Sequence, residues 1–229
     1  MGLDKQVLPL QRREFLRLTS GLLLVGGTST FIGCGGGGGS STPTPTPSPT
    51  PTPSRVLAPT PVTVAEYRAF CTATGRAMPP PPSWGWIDDH PIVNVTWSEA
   101  NDYCTWAGGR LPTVAEFEYG MTDGGKSIEF PWGDTFDDSK LWCGSVTERD
   151  RTAPVKRSNN IFQNSLGLSD MAGNVWQWCS ESIGDGKYRY VKGGSWNSDV
   201  VSLFRCTGRY GYNPEVVSTN VGFRLSSSY

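Results

Sequence analysis

Twenty consecutive residues in this chain cannot join any packed core. Residues 35–54 read GGGGGSSTPTPTPSPTPTPS. Five glycines make a swivel, and the alternating Thr-Pro run has lost half its backbone donors. It favours polyproline II, a semi-rigid spacer. At about 3.1 Å per residue the proline part reaches on the order of 35 Å. A folded unit must therefore lie on one side of it, and the chain divides into 1–33, a tether at 34–56, and a domain at 57–229.

The segment before the tether reads as an address. "QRREFLRL" places Arg12 and Arg13 ahead of Phe15 and Leu16, which looks like a twin-arginine export signal. The stretch after it, "TSGLLLVGGTSTFIG", is too short to cross a bilayer. It ends in "FIGC", which resembles the box at which bacterial lipoproteins are cleaved and lipidated, so Cys34 is the expected lipid-bearing residue. The expectation is an exported, membrane-anchored lipoprotein facing the cell surface or periplasm.

Beyond the tether, about 170 residues can bury roughly 70 % of their unfolded surface. The whole chain has a net charge of −1, which gives no pull toward nucleic acid or an acidic membrane face. Nine Trp and 28 Gly suggest an irregular fold held by aromatic anchors. Setting Cys34 aside leaves Cys71, Cys104, Cys143, Cys179 and Cys206, an odd number. A twin-arginine substrate folds in the reducing cytoplasm, so the expected fold needs no disulfide.

Three Thr-x-x-Glu stretches predict helix starts at Thr63, Thr96 and Thr113, with Glu66, Glu99 and Glu116 reaching back. The first helix is expected to turn Tyr67, Phe70 and Cys71 inward. The second presents Ala100, Tyr103, Cys104 and Ala107, and the third Phe117 and Met121. "YRYVKGG" and "NVGFRLS" read as strands between glycine turns. The class is α+β, with helices early and an irregular, strand-bearing later half.

Five motifs then follow one another: "PIVNVTWSEANDYCTWAGGRLPTVAEFEYG", "FPWGD", "NSLGLSDMAGNVWQW", "VKGGSW" and "NVGFRL". Their order and spacing resemble the formylglycine-generating-enzyme family, also called sulfatase-modifying factors, over about residues 60–225. The resemblance implies a formylglycine-generating-enzyme-like, C-type-lectin-like fold. Enzymes of that family oxidise a substrate cysteine with O2 at a copper ion held by two cysteines, since soft thiolates suit Cu(I). Here Ser198 falls at the first cysteine position, and Val201 or Ser202 near the second. Cys206 lies further on, where the enzymes have a structural residue. No copper is expected. A related iron branch needs a histidine cluster, and His90 is the single histidine.

The same resemblance implies a structural Ca2+ wrapped by "DMAGNVWQW", with side-chain oxygens from Asp170 and Gln177 and carbonyls from Gly173 and Val175. Gln177 stands where the family commonly has Glu. Arg110 and Trp132 are expected to knit loops together.

The stretch following "GGSW" resembles the diversified region of retroelement-diversified variable proteins. In that subgroup a fixed scaffold presents changeable side chains. The expected contact residues are Trp196, Asn197, Ser198, Asp199, Val201, Ser202, Phe204, Arg209, Tyr210, Tyr212 and Asn213. The expected function is non-catalytic binding of a protein or cell-surface ligand. Alternatives are an oxidase with a rearranged site and a structural envelope component.

Overall fold

The computed structural model describes residues 57–144, 150–155 and 163–227. The expected export signal, the expected lipid-bearing Cys34 and the expected tether lie outside the described residues. No helix among these residues is long and apolar enough to cross a membrane.

All three predicted helices form. They are α1 (Val64–Thr74), α2 (Trp97–Trp106) and α3 (Val114–Met121). Each begins with a complete capping box. In α1, Thr63 Oγ1 accepts from Glu66 N at 3.2 Å, and Glu66 Oε2 accepts from Thr63 N at 2.8 Å. Two orphan first-turn donors are thereby satisfied, which is why helices this short hold together. Ala107 departs from expectation. It caps the exposed end of α2 rather than joining the buried face, because the helix ends at Trp106, two residues before Gly108 at φ +77°.

A four-stranded sheet divides the core. Its strands are β2 (Trp176–Ile183), β3 (Tyr188–Lys192), β4 (Arg209–Tyr212) and β5 (Val221–Gly222), in the order β4-β3-β2-β5. β2, β3 and β4 run antiparallel, and β5 joins β2 in parallel. A separate two-stranded ribbon pairs β1 (Gly109–Arg110) with β6 (Ser226–Ser227), tying the chain's end to the middle of the domain.

Strand alternation sorts the core into two clusters. Trp178 pairs with Val191, and both pack against Tyr67, Phe70, Tyr103 and Phe223. Cys179 points the other way, into Phe117, Met121, Leu141 and Phe204. Consecutive residues Phe223 and Arg224 likewise separate, Phe223 entering the first cluster and Arg224 lying over the Phe117 ring of the second. α1 and α2 thus cover one side and α3 the other.

The five described cysteines are buried, and Cys71, Cys104, Cys179 and Cys206 are free thiols. Cys71 and Cys104 belong to the first cluster, and Cys143, Cys179 and Cys206 to the second. Burial pushes the Cys104 thiol up to about 12 and the Cys206 thiol up to about 11, from an ordinary value near 9. Tyr103 is raised to about 12 by the same cause. For acids raised by folding, the contribution is complete below their unfolded values. It is lost as pH rises through the folded ones. Lys192 and Arg224, both lowered by burial, act in the opposite sense but are outnumbered, since burial also raises Cys71, Cys179, Tyr67 and Tyr212. Urea-unfolding stability is therefore expected to hold from pH 7 to about 9 and to fall steadily between about 9 and 11. A stability that rises over that upper interval would contradict the packing of the thiols.

Candidate functional site

The segment after β3 begins with Gly193 and Gly194, at φ +95° and +74°. Glycine is required at both, because L side chains rarely adopt these angles. Gly193 O accepts from Gly173 N at 2.8 Å. The bare α-carbon of Gly194 receives the ring of Phe204.

A hydroxyl knot follows. Ser195 N donates to Ser198 Oγ at 3.2 Å, and the two hydroxyls are 2.9 Å apart. Ser195 Oγ donates to Asn197 Oδ1 at 2.8 Å. Ser198 O accepts from Gly144 N at 3.0 Å. Asn197 Oδ1 also accepts from Asn220 Nδ2 at 3.0 Å, and Trp196 Nε1 donates to Thr219 O at 3.0 Å. The loop at 195–204 and the loop at 213–220 are therefore clamped to each other. Trp196 further meets Trp84 edge to face, with ring centroids 5.6 Å apart.

After the knot the chain makes a 3-10 turn (Val201–Phe204) and reaches β4. Arg205 pairs with Glu129 at 2.8 Å. Beneath them the buried Lys192 ammonium donates to Cys206 O at 2.7 Å and to Glu118 at 2.8 Å. Arg209 lies over the Tyr190 ring at 5.3 Å. Tyr210 leans on Tyr212 and on Trp176.

The expected contact residues divide by exposure. Asn197, Asp199, Val201, Ser202, Arg209, Tyr210 and Asn213 are exposed, and Trp196 and Tyr212 are half-buried. Two expectations are corrected. Ser198 is buried because its hydroxyl closes the knot with Ser195, and Phe204 is buried because its ring fills the space over Gly194. Neither can touch a ligand. Sequence reasoning missed Trp84, Val200, Val217 and the clamp residue Asn220. Asn220 directly precedes the "VGFRL" that the motif reading singled out.

The residues do not fit a two-thiolate copper centre. Ser198 supplies a hydroxyl already engaged on both sides, Val201 and Ser202 face outward, and Cys206 is a protonated core thiol.

The calcium set does not fit either. Gln177 Oε1 accepts from Arg224 Nε at 2.6 Å, and Gln177 Nε2 donates to Asp170 O at 2.8 Å. Asp170 Oδ2 accepts from Asn174 Nδ2 at 3.1 Å. Gly173, at φ +78°, lies against Trp142 O, where a Cβ would come within 2.6 Å. Among the described residues no group of three or more His, Cys, Asp or Glu side chains could hold a metal.

Other residues serve the frame. His90 Nδ1 lies 2.9 Å from Thr152 Oγ1. Arg110 grips both oxygens of Glu116, and Trp132 Nε1 donates to Thr135 O at 2.9 Å. A cleft of about 20 Å3, room for one water, lies away from the contact segment, lined by Trp132, Lys140 and Asn164 among others.

Comparisons with known proteins identify the family and the fold. The model of the sulfatase-modifying factor enzyme 1-like domain matches residues 10–228. An inactive Cα-formylglycine-generating enzyme 2 from Bos taurus is 35 % identical over 156 residues, covering 61 % of this chain and 50 % of that protein. The formylglycine-generating enzyme of Bos taurus is 34 % identical over 170 residues, covering 62 % and 45 %. The chain thus spans about half the length of these curated relatives. Among solved structures, Treponema denticola variable protein 1 shares the fold at a TM-score of 0.59 and 22 % identity, covering 75 % of this chain and 83 % of that one. The α+β, C-type-lectin-like domain described above belongs to the sulfatase-modifying factor enzyme 1-like family.

Proposed function

We propose that this protein is a surface-tethered, non-catalytic binding domain, anchored by lipid at Cys34 and held off the membrane by its Thr-Pro spacer. The observation that carries the reading is the distribution of exposed apolar side chains. Among the described residues seven large ones are exposed, and four of them, Val200, Val201, Tyr210 and Val217, fall between residues 200 and 217. Such a concentration marks contact with a macromolecule rather than a solvated loop. They lie on the two clamped loops and the strand between them. Asp199, Ser202 and Asn213 add adaptable hydrogen bonding beside them.

Catalysis is not part of the proposal, because the position that resembles the first copper cysteine carries the Ser198 hydroxyl. Diversification of the same stretch by a retroelement fits the fixed knot below and the outward side chains above.

Two measurements test the reading. Purified protein incubated with Cu(I), O2 and a cysteine peptide is expected to leave the thiol unchanged; conversion to an aldehyde would overturn the non-catalytic assignment. The variant D199A/V201A/Y210A is expected to keep its Tm within about 3 °C, since each is an exposed truncation. On arrays of extracellular proteins and glycans, any feature bound by the parent domain should lose at least tenfold in affinity with this variant. Retained affinity would move the contact face elsewhere. For diversification, the gene's surroundings should hold a near-copy of its 3′ end beside a reverse transcriptase.

A further inference from the structure

Arg224 is fully buried, and burial holds its guanidinium down to about 10, so it remains charged at neutral pH. A buried cation is costly unless oxygen atoms replace its water shell. Here they do. Arg224 Nε donates to Gln177 Oε1 at 2.6 Å, Nη1 to Ala58 O at 3.0 Å, and Nη2 to Ser169 O at 2.7 Å and Asp170 O at 3.3 Å. The Asp170 carboxylate adds a favourable charge, and the Phe117 ring lies 5.6 Å from the guanidinium carbon. These oxygens come from the domain's first residues, from the turn ahead of β2, and from β2 itself.

We infer that Arg224 is the structural cation of this turn, supplied by the chain at the side-chain oxygen that the calcium reading assigned to a metal, so that the domain folds and stays folded without Ca2+. The identity of residue 177 supports this. A glutamine can accept from Arg224 with one atom while donating to Asp170 O with the other, as it does here. A carboxylate could accept from Arg224 but could not donate to that carbonyl. Gln177 is thus fitted to a guanidinium on one side and a carbonyl on the other. A divalent ion would need that same Oε1 and further oxygen ligands, several of them usually carboxylates.

The test is thermal unfolding of the folded domain in 5 mM CaCl2 and in 5 mM EGTA. Ca2+ bound at a hundred times its Kd would raise Tm by about 5–10 °C in a domain of this size. The two melting temperatures are instead expected to agree within about 1 °C, with no stoichiometric Ca2+ uptake by calorimetry. A rise of several degrees, or one Ca2+ bound per chain, would overturn the inference. The variant Arg224→Ala gives a second reading. Its lowered Tm is expected to recover in millimolar methylguanidinium and not in CaCl2. Recovery by Ca2+, or a Tm equal to the parent's, would also overturn it. If Arg224→Ala does not fold, Arg224→Lys keeps the charge without the planar fork. That variant should melt lower than the parent and remain indifferent to Ca2+; a Tm that depends on Ca2+ would again count against the inference.

Discussion

Gly194→Ala is expected to lower Tm by about 10 °C or to leave the domain insoluble at 37 °C. Two costs add. Residue 194 sits at φ +74°, where an L side chain pays about 1–2 kcal/mol. The new Cβ would also lie 2.4 and 2.5 Å from two carbons of the Phe204 ring, far inside contact distance. Phe204 is fully buried against Phe136 and cannot swing away without dismantling the 3-10 turn that carries Val201 and Ser202. Overpacking of this kind costs about 1–3 kcal/mol. The sum, near 3 kcal/mol, corresponds to about 6–12 °C at 2–4 °C per kcal/mol for a domain of this length. Thermal unfolding of purified protein checks it. The double variant Gly194→Ala/Phe204→Leu should recover part of the loss, because a narrower side chain opens the space the methyl needs. Equal melting of parent and Gly194→Ala would mean that the Phe204 ring does not sit over residue 194.

The helices were legible because their start signals are local. Thr63, Thr96 and Thr113 each carry their partner Glu three residues on, and no tertiary contact is needed to read the pair. β2 is the longest strand, yet its sequence gives no strand signal. Trp176, Gln177, Trp178 and Cys179 are all buried, so both faces are covered and alternation disappears. In the sequence, β4 shows only the features of a contact surface. Arg209 and Tyr210 are exposed on an edge strand, and nothing in "RYGY" distinguishes that from a loop.

The site was legible as a frame and illegible in its depth. Glycine pairs and "GFRL" located the scaffold, yet whether Ser198 and Phe204 face in or out depends on Ser195 and on the missing side chain of Gly194. The role of Gln177 was hidden for a different reason. Its partner Arg224 lies 47 residues away, and a glutamine at a glutamate position looks like a weakened ligand until that partner is seen.

Asn174→Ala is expected to cost about 3–5 kcal/mol, a Tm loss on the order of 10 °C, and to loosen the contact loops while leaving their sequence intact. Asn174 is fully buried at φ +64°, an angle that asparagine tolerates better than alanine. Its Oδ1 accepts from Ala153 N at 2.9 Å, and its Nδ2 donates to Ala153 O at 3.0 Å and to Asp170 Oδ2. Its backbone N donates to Trp142 O at 2.7 Å, and its carbonyl accepts from Trp196 N at 2.8 Å. One residue thus joins the turn ahead of β2, the segments around Trp142 and Ala153, and the loop bearing Trp196. Truncation strands the Ala153 amide in a dry place, and each such loss costs about 1–3 kcal/mol. Asn174→Gly separates the two contributions, since it keeps the backbone angle and removes only the side chain; it should fall between the parent and Asn174→Ala. Hydrogen exchange provides the local readout. Protection of the Trp196 and Ser198 amides is expected to drop in Asn174→Ala more than protection of Tyr67 and Phe70 in α1, because the knot depends on this asparagine and the helix does not. Uniform loss across both regions would mean that the contact loops share the stability of the whole core rather than hanging from residue 174.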